Sequence, residues 1–217
     1  MTGLLVCAAL GIEARAIRRG LPARLARVVV TGAGPRRAAR AAASLHLGLG
    51  LGQGRDLGRD LGQGRDLGRR EAVAVVGFGG AVGRSLRPGD VLVASEVRFR
   101  GRVHPCPSAP LLAGELAGAG LPAVVGPLVT ADHVVRGAER HRLAAEGAYA
   151  VDMETGPLAR AAAGRPLAAV RVIVDTPEAP LLSLATLTRG VAARRTLAAI
   201  GPVLVRWAAV LPEEVLS

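Results

Sequence analysis

Acidic residues that stand where short apolar runs end are the feature of this sequence most able to do chemistry. Glu13 follows the apolar run that begins at Gly3, Asp152 and Glu154 flank Met153 at the end of the run from Ala148, and Asp175 closes Val170-Arg-Val-Ile-Val-Asp175. A single acid in such a place commonly caps the next helix. Three strand ends that deliver carboxylates to one sheet edge can do more, because a desolvated carboxylate can hold a proton or accept sugar hydroxyls. Two glycine turns lie near them, Thr31-Gly-Ala-Gly-Pro35 and Gly77-Phe-Gly-Gly-Ala-Val-Gly83, and either could bring backbone N–H groups against an anion or a sugar. The first does not make a dinucleotide fingerprint, which needs a third small residue and an acid about 20 positions on. His133, next to Asp132, is a candidate to line a site, whereas His104 reads as part of a loop. No spacing of His, Cys, Asp or Glu predicts a metal, and no GxSxG elbow offers a serine nucleophile.

The elements that must position these residues alternate. Strands are predicted at Leu4–Ala9, Ala26–Thr31, Ala72–Gly77, Asp90–Glu96, Ala123–Thr130, Ala148–Met153 and Leu167–Val174. Helices are predicted at Ile12–Arg19, Arg36–Leu45, Ala109–Ala119, Gly137–Glu146, Glu154–Ala163 and Thr186–Ala209, the last with a kink near Pro202. Continuous β-branched runs suit strands buried on both faces, and the alternation predicts an α/β fold with a mostly parallel sheet. Ligands in such folds sit where strands end and loops diverge.

At 217 residues the chain fits a single domain, 1–217. Residues 51–60 and 61–70 are a tandem decamer, LGQGRDLGRD and LGQGRDLGRR, so 47–70 reads as a low-complexity insertion. The net charge is +11 with no lysine, a balance suited to nucleic acid or an anionic membrane surface. Single-strand binders add aromatic stacking platforms, and four aromatic residues (Phe78, Phe99, Tyr149 and Trp207) supply few. No specific nucleic-acid partner is therefore expected, while peripheral contact with a membrane stays open. The apolar start lacks a preceding positive residue, and the C-terminal apolar run is too short to span a bilayer, so a cytoplasmic protein is expected. Cys7 and Cys106 are too few for a disulfide framework.

Several of these segments recur together, in order, in one known family. Ala9-Leu-Gly-Ile-Glu13, Gly77–Val82 with Leu86-Arg-Pro-Gly-Asp-Val91, Gly126-Pro-Leu-Val-Thr-Ala-Asp132, Val151-Asp-Met-Glu-Thr155 and Val170–Asp175 resemble the signatures of the purine nucleoside phosphorylase and methylthioadenosine/S-adenosylhomocysteine nucleosidase superfamily. Within it the chain is most similar to the hopanoid-associated branch, linked to adenine removal from adenosylhopane. The resemblance implies a three-layer fold with a central, mostly parallel twisted sheet flanked by helices, no cofactor, and a homodimer. It implies cleavage of the N-glycosidic bond of a 5′-substituted purine nucleoside, with a hydrophobic 5′ group.

Residue by residue, the resemblance gives Asp175 protonation of purine N7, Glu13 activation of water, and Glu154 the ribose hydroxyls above Met153. It places Gly77, Phe78, Gly79, His133, Val134 and Asp152 around the substrate. Phe78 stands where phosphorylases often carry a phosphate-binding serine, which favours hydrolysis; Arg15, Arg84 and Gly34 keep a phosphate site and phosphorolysis open. Val134 replaces a stacking aromatic and Val174 a serine. A nucleoside-binding relative without turnover is the alternative of another class, which the separate acid and base residues argue against.

Overall fold

The computed structural model describes residues 3–22, 24–46, 71–162, 164–177 and 186–211. The apolar runs become strands β1 (Gly3–Ala8), β2 (Ala26–Val30), β3 (Glu71–Ala81), β4 (Val91–Phe99), β5 (Arg102–Pro105), β6 (Ala123–Thr130), β7 (Ala150–Asp152) and β8 (Leu167–Asp175). The helices are α1 (Gly11–Gly20), α2 (Pro35–His46), α3 (Ala109–Gly118), α4 (Gly137–Ala145), α5 (Thr155–Ala161) and α6 (Thr186–Ala209). The α/β class and the sheet flanked by helices are as expected from the sequence.

The sheet does more than lie open between helix layers. β3 pairs in parallel with β1 along its first half and with β8 from Val73↔Leu167 to Gly80↔Asp175. Its last residues pair antiparallel with β7 through Gly80↔Val151 and Ala81↔Ala150. From β7 the ladder passes in parallel to β6 and then to β4, which pairs antiparallel with β8. The path β3–β7–β6–β4–β8 thus returns to β3 as a closed ring, with β1 and β2 extending from β3. Parallel pairings predominate, yet β7 reaches β3 from the opposite direction. Glu13, after β1, and Asp175, at the end of β8, therefore share a carboxyl edge with the second half of β3, whereas Asp152 and Glu154 follow β7, which runs the other way.

Two local expectations are corrected. The segment from Gly77 was read as a turn, but β3 continues through Gly77-Phe-Gly-Gly-Ala81, because β8 and β7 supply hydrogen-bond partners there. His104 lies on strand β5, which pairs antiparallel with β4 from Glu96↔Pro105 to Phe99↔Arg102. The connection is the two-residue turn Arg100-Gly101, both with positive φ (48° and 71°), the handedness that matches strand twist in a tight hairpin.

Helices α1 and α3 each pack on α6, which also lies against β8, while α2 packs on α5, which lies against β3, β4 and β6. α6 runs as one element through Pro202. Proline has no N–H to give Ala198, and that carbonyl faces Gly20 at the end of α1, where a side chain's Cβ would lie 1.9 Å from it. The crossing of α1 and α6 is thus as close as two backbones allow. Leu5, Val6, Val76, Leu92, Val170, Leu197 and Trp207 are among the fully enclosed core residues. Among the described residues no helix is long and apolar enough to cross a membrane.

Candidate active site

Glycine makes the floor of the site. Across β3, Gly77 faces Arg171 of β8. A Cβ at Gly77 would sit 2.7 Å from Glu13 Oε1 and 3.2 Å from Arg171 Nη1, and one at Gly79 would meet the Arg171 stem at 3.0 Å. The absent side chains let Glu13 and Arg171 lie directly over the strand.

Glu13 enters from the first turn of α1 and is 2% exposed. Its Oε1 accepts the N–H of Phe78 and its Oε2 that of Leu10, both at 2.8 Å. Burial pushes its carboxyl above the ordinary range; the two N–H groups and Arg171 pull the other way, and Glu154 adds to the rise. A carboxylate so held is ready to take a proton.

Arg171 is 3% exposed, an expensive place for a charge without partners. Its Nε and Nη2 donate to Asp152 Oδ2 at 2.9 and 2.5 Å. Burial opposes its charge, but Asp152 above all, then Glu13 and Glu154, outweigh that and keep the guanidinium protonated. Asp152 Oδ1 accepts the Thr130 hydroxyl at 2.6 Å, and Oδ2 also receives the N–H and hydroxyl of Thr155. The sequence reading put Asp152 among substrate ligands; in the structure its oxygens are engaged by Arg171, Thr130 and Thr155. Asp152 thereby anchors Arg171.

Glu154, half-buried between β7 and α5, accepts the N–H of Gly34 at 2.8 Å through Oε1. Gly34 has a φ of +89°, a conformation that glycine adopts without strain, and this turns its N–H towards the carboxylate. Gly34 was a candidate phosphate donor; in the structure its N–H is given to Glu154. Met153 is half-buried beside it.

Asp175, at the end of β8, is 7% exposed, and its Oδ2 accepts a hydrogen bond from Nη2 of Arg140, itself 8% exposed on α4. Gly80 clears space for the pair, since a Cβ there would lie 2.7 Å from both Arg140 Nη2 and Asp175 Oδ1. Neither Arg140 nor the anchoring part played by Arg171 was expected. The available signal for Arg140 was its position three residues before Leu143, on the inward stripe of α4.

The remaining candidates lie further out. Both ring nitrogens of exposed His133 are engaged, Nδ1 with Asp132 at 2.8 Å and Nε2 with Glu139 at 2.9 Å, so neither is open to a substrate in this arrangement. The Asp132 and Glu139 contacts raise its pKa. Val134 is 56% exposed. Arg15 and Arg84 are exposed, on α1 and after β3. Among the described residues no three His, Cys, Asp or Glu side chains are grouped to hold a metal.

Acids gathered at glycine-rich segments, two of them clamped to arginine, form a constellation whose family can be tested by comparison. The sequence profile of the phosphorylase superfamily matches residues 13–203. The chain belongs to the phosphorylase superfamily. Membership makes it an enzyme of the nucleosidase and phosphorylase class. Solved structures similar to this superfamily member include the 5′-methylthioadenosine/S-adenosylhomocysteine nucleosidase of Colwellia psychrerythraea 34H in complex with adenine, with 18% identity, a TM-score of 0.69 and coverage of 96% of this chain and 95% of that one. The S-adenosylhomocysteine nucleosidase of Streptococcus pyogenes, in complex with 5-methylthiotubericidin, has 19% identity, a TM-score of 0.66 and coverage of 97% and 98%. Futalosine hydrolase of Helicobacter pylori has 16% identity, a TM-score of 0.69 and coverage of 97% and 98%. At these identities the likeness concerns the fold. A search of curated proteins finds no match.

Proposed function

We propose that this superfamily member hydrolyses the N-glycosidic bond of a 5′-substituted purine nucleoside and releases adenine. The observation that carries the choice of water over phosphate is the use made of the glycine-rich segments. The N–H groups of Phe78 and Gly34 are the donors such segments would turn to an anion, and both are bound to carboxylates, Glu13 and Glu154. A phosphate brought to the same place would meet negative charge where it needs donors.

In this reading Asp175 gives a proton to purine N7, so that adenine leaves as a neutral base. Glu154 accepts the ribose hydroxyls through the oxygen not bound to Gly34, over Met153. Glu13 takes a proton from the water that attacks the anomeric carbon, and its charge faces the positive charge developing on the sugar. Arg171 holds the floor beneath Glu13. The three structural relatives named above support the reaction class through what their names state, adenine and nucleoside analogues bound in nucleosidases and a hydrolase of futalosine.

The finer reading is an apolar 5′ group, such as the hopanoid chain of adenosylhopane. Leu10 and Ile12 precede Glu13 at 39% and 42% exposure, and Val134, after β6, is 56% exposed; apolar side chains open to solvent beside the acids suit such a group. A cytoplasmic homodimer completes the proposal.

The test is adenine release from methylthioadenosine, S-adenosylhomocysteine and an adenosine with a lipid 5′ chain, each with and without phosphate. Release independent of phosphate is expected, fastest with the lipid substrate. A strict phosphate requirement would overturn hydrolysis and remove Glu13 from the base role. No release from any substrate would overturn the reading.

A further inference from the structure

We infer that Arg140 is a positioning residue for the protonation of the leaving group, acting through Asp175. The inference rests on the proposed role of Asp175 and assigns a part to a residue outside the site as the sequence displays it.

Arg140 is buried yet comes from α4, an element whose other arginine, Arg142, is exposed. Its Nη2 donates to Asp175 Oδ2, so that oxygen is committed. The other oxygen, Oδ1, lies over Gly80, where a Cβ would be 2.7 Å away. A proton destined for the base must sit on this second oxygen, and the guanidinium fixes which way it points. Among the described residues the Arg140 Nε is buried without a hydrogen-bond partner, so this side chain is not placed to satisfy all its own donors, while its Nη2 is given to Asp175. A planar guanidinium holds a carboxylate in one orientation better than an ammonium would.

The chemistry gives the pair a second purpose. As the proton passes from Oδ1 to purine N7, the C1′–N9 bond breaks and its electron pair goes to the base. Asp175 is left negatively charged, and Arg140 already stands against that charge. Water then adds to C1′ and gives its proton to Glu13, so atoms and charge balance. An interaction that strengthens as the bond breaks raises kcat more than it lowers KM.

The test compares the full-length protein with R140M and R140K on its adenine nucleoside and on 4-nitrophenyl ribofuranoside, whose leaving group needs no proton. For R140M the expected result is a kcat for adenine release lower by roughly a hundredfold, the low end of what a positioned acid contributes. KM should stay within about threefold, R140K should be intermediate, and nitrophenol release should fall far less than adenine release. Equal losses on both substrates, a rise in KM at constant kcat, or no loss at all would each overturn the inference. If R140M does not fold, the conservative R140K and R140Q carry the same comparison. If the parent turns over the nucleoside alone, the kcat and KM split decides. A parent inactive on both substrates would overturn the nucleosidase reading itself, whereas an active parent with the wrong variant pattern overturns only the part assigned to Arg140.

Discussion

Buried at the first turn of α1, Glu13 is subject to opposed influences, and their balance sets a pH dependence. Loss of water disfavours its charge more than the N–H groups of Phe78 and Leu10 and the nearby Arg171 favour it, so its carboxyl titrates higher than usual. A general base must be ionised, so activity falls as pH drops through that raised value. The acid limb of kcat/KM is therefore expected above about pH 4.3, the ordinary glutamate value. E13Q should lower the rate by roughly 10²–10⁴-fold and abolish this limb; a pH–rate profile of both proteins checks it, and an unchanged limb in E13Q would assign it elsewhere. Glu13, Glu154 and Asp175 were legible in the sequence because strand ends present them in recognisable strings. The state of their partners was not. Asp152 looks like Glu154 in the sequence, yet one has its oxygens filled by Arg171 and two threonines while the other turns to Gly34. Which neighbours a carboxylate finds is decided by strands distant in sequence.

At the scale of elements, the place of Glu13 depends on the crossing of α1 with α6. Gly20 packs on the Ala198 carbonyl that Pro202 leaves without a helical donor, and the backbone cannot retreat as a flexible side chain could. G20A should force the helices apart at a cost of about 1–3 kcal/mol, the range for overpacked sites. Because α1 carries Glu13, activity should fall in protein that remains folded. Thermal melts with assays below the transition measure both, and an unchanged melting temperature would show that the contact relaxes freely. The alternation of helices and strands was readable from periodicity, but the β4–β5 hairpin was missed because its turn places Arg100 at positive φ, a conformation arginine seldom announces. The passage of β3 through its glycines was missed for a related reason. Glycine signals a turn by default, and only pairing with β7 and β8 makes it a strand.

Across the whole molecule, closure of β3, β7, β6, β4 and β8 brings acids from strands of opposite direction to one wall, a result that no local pattern contains. Burial extends to both thiols, pushing Cys7 and Cys106 up to about 12, so neither is available as a nucleophile in the folded protein. The tandem decamer lies outside the described residues. Removing one copy, residues 51–60, should leave adenine release and melting temperature close to those of the parent, since even halving a connecting segment changes its closure free energy by only about 0.6 kcal/mol. Lost activity at unchanged stability would instead give the repeat a part in catalysis. The glycine floor has a consequence for divergence. Gly77, Gly79 and Gly80 each stand where one added carbon would strike Glu13, Arg171 or the Arg140–Asp175 pair. Substitution at the base of this pocket therefore displaces the reacting groups themselves. A change of preferred nucleoside must instead be written around it, at exposed Leu10, Ile12 and Val134, which can be exchanged while the reacting groups stay in place.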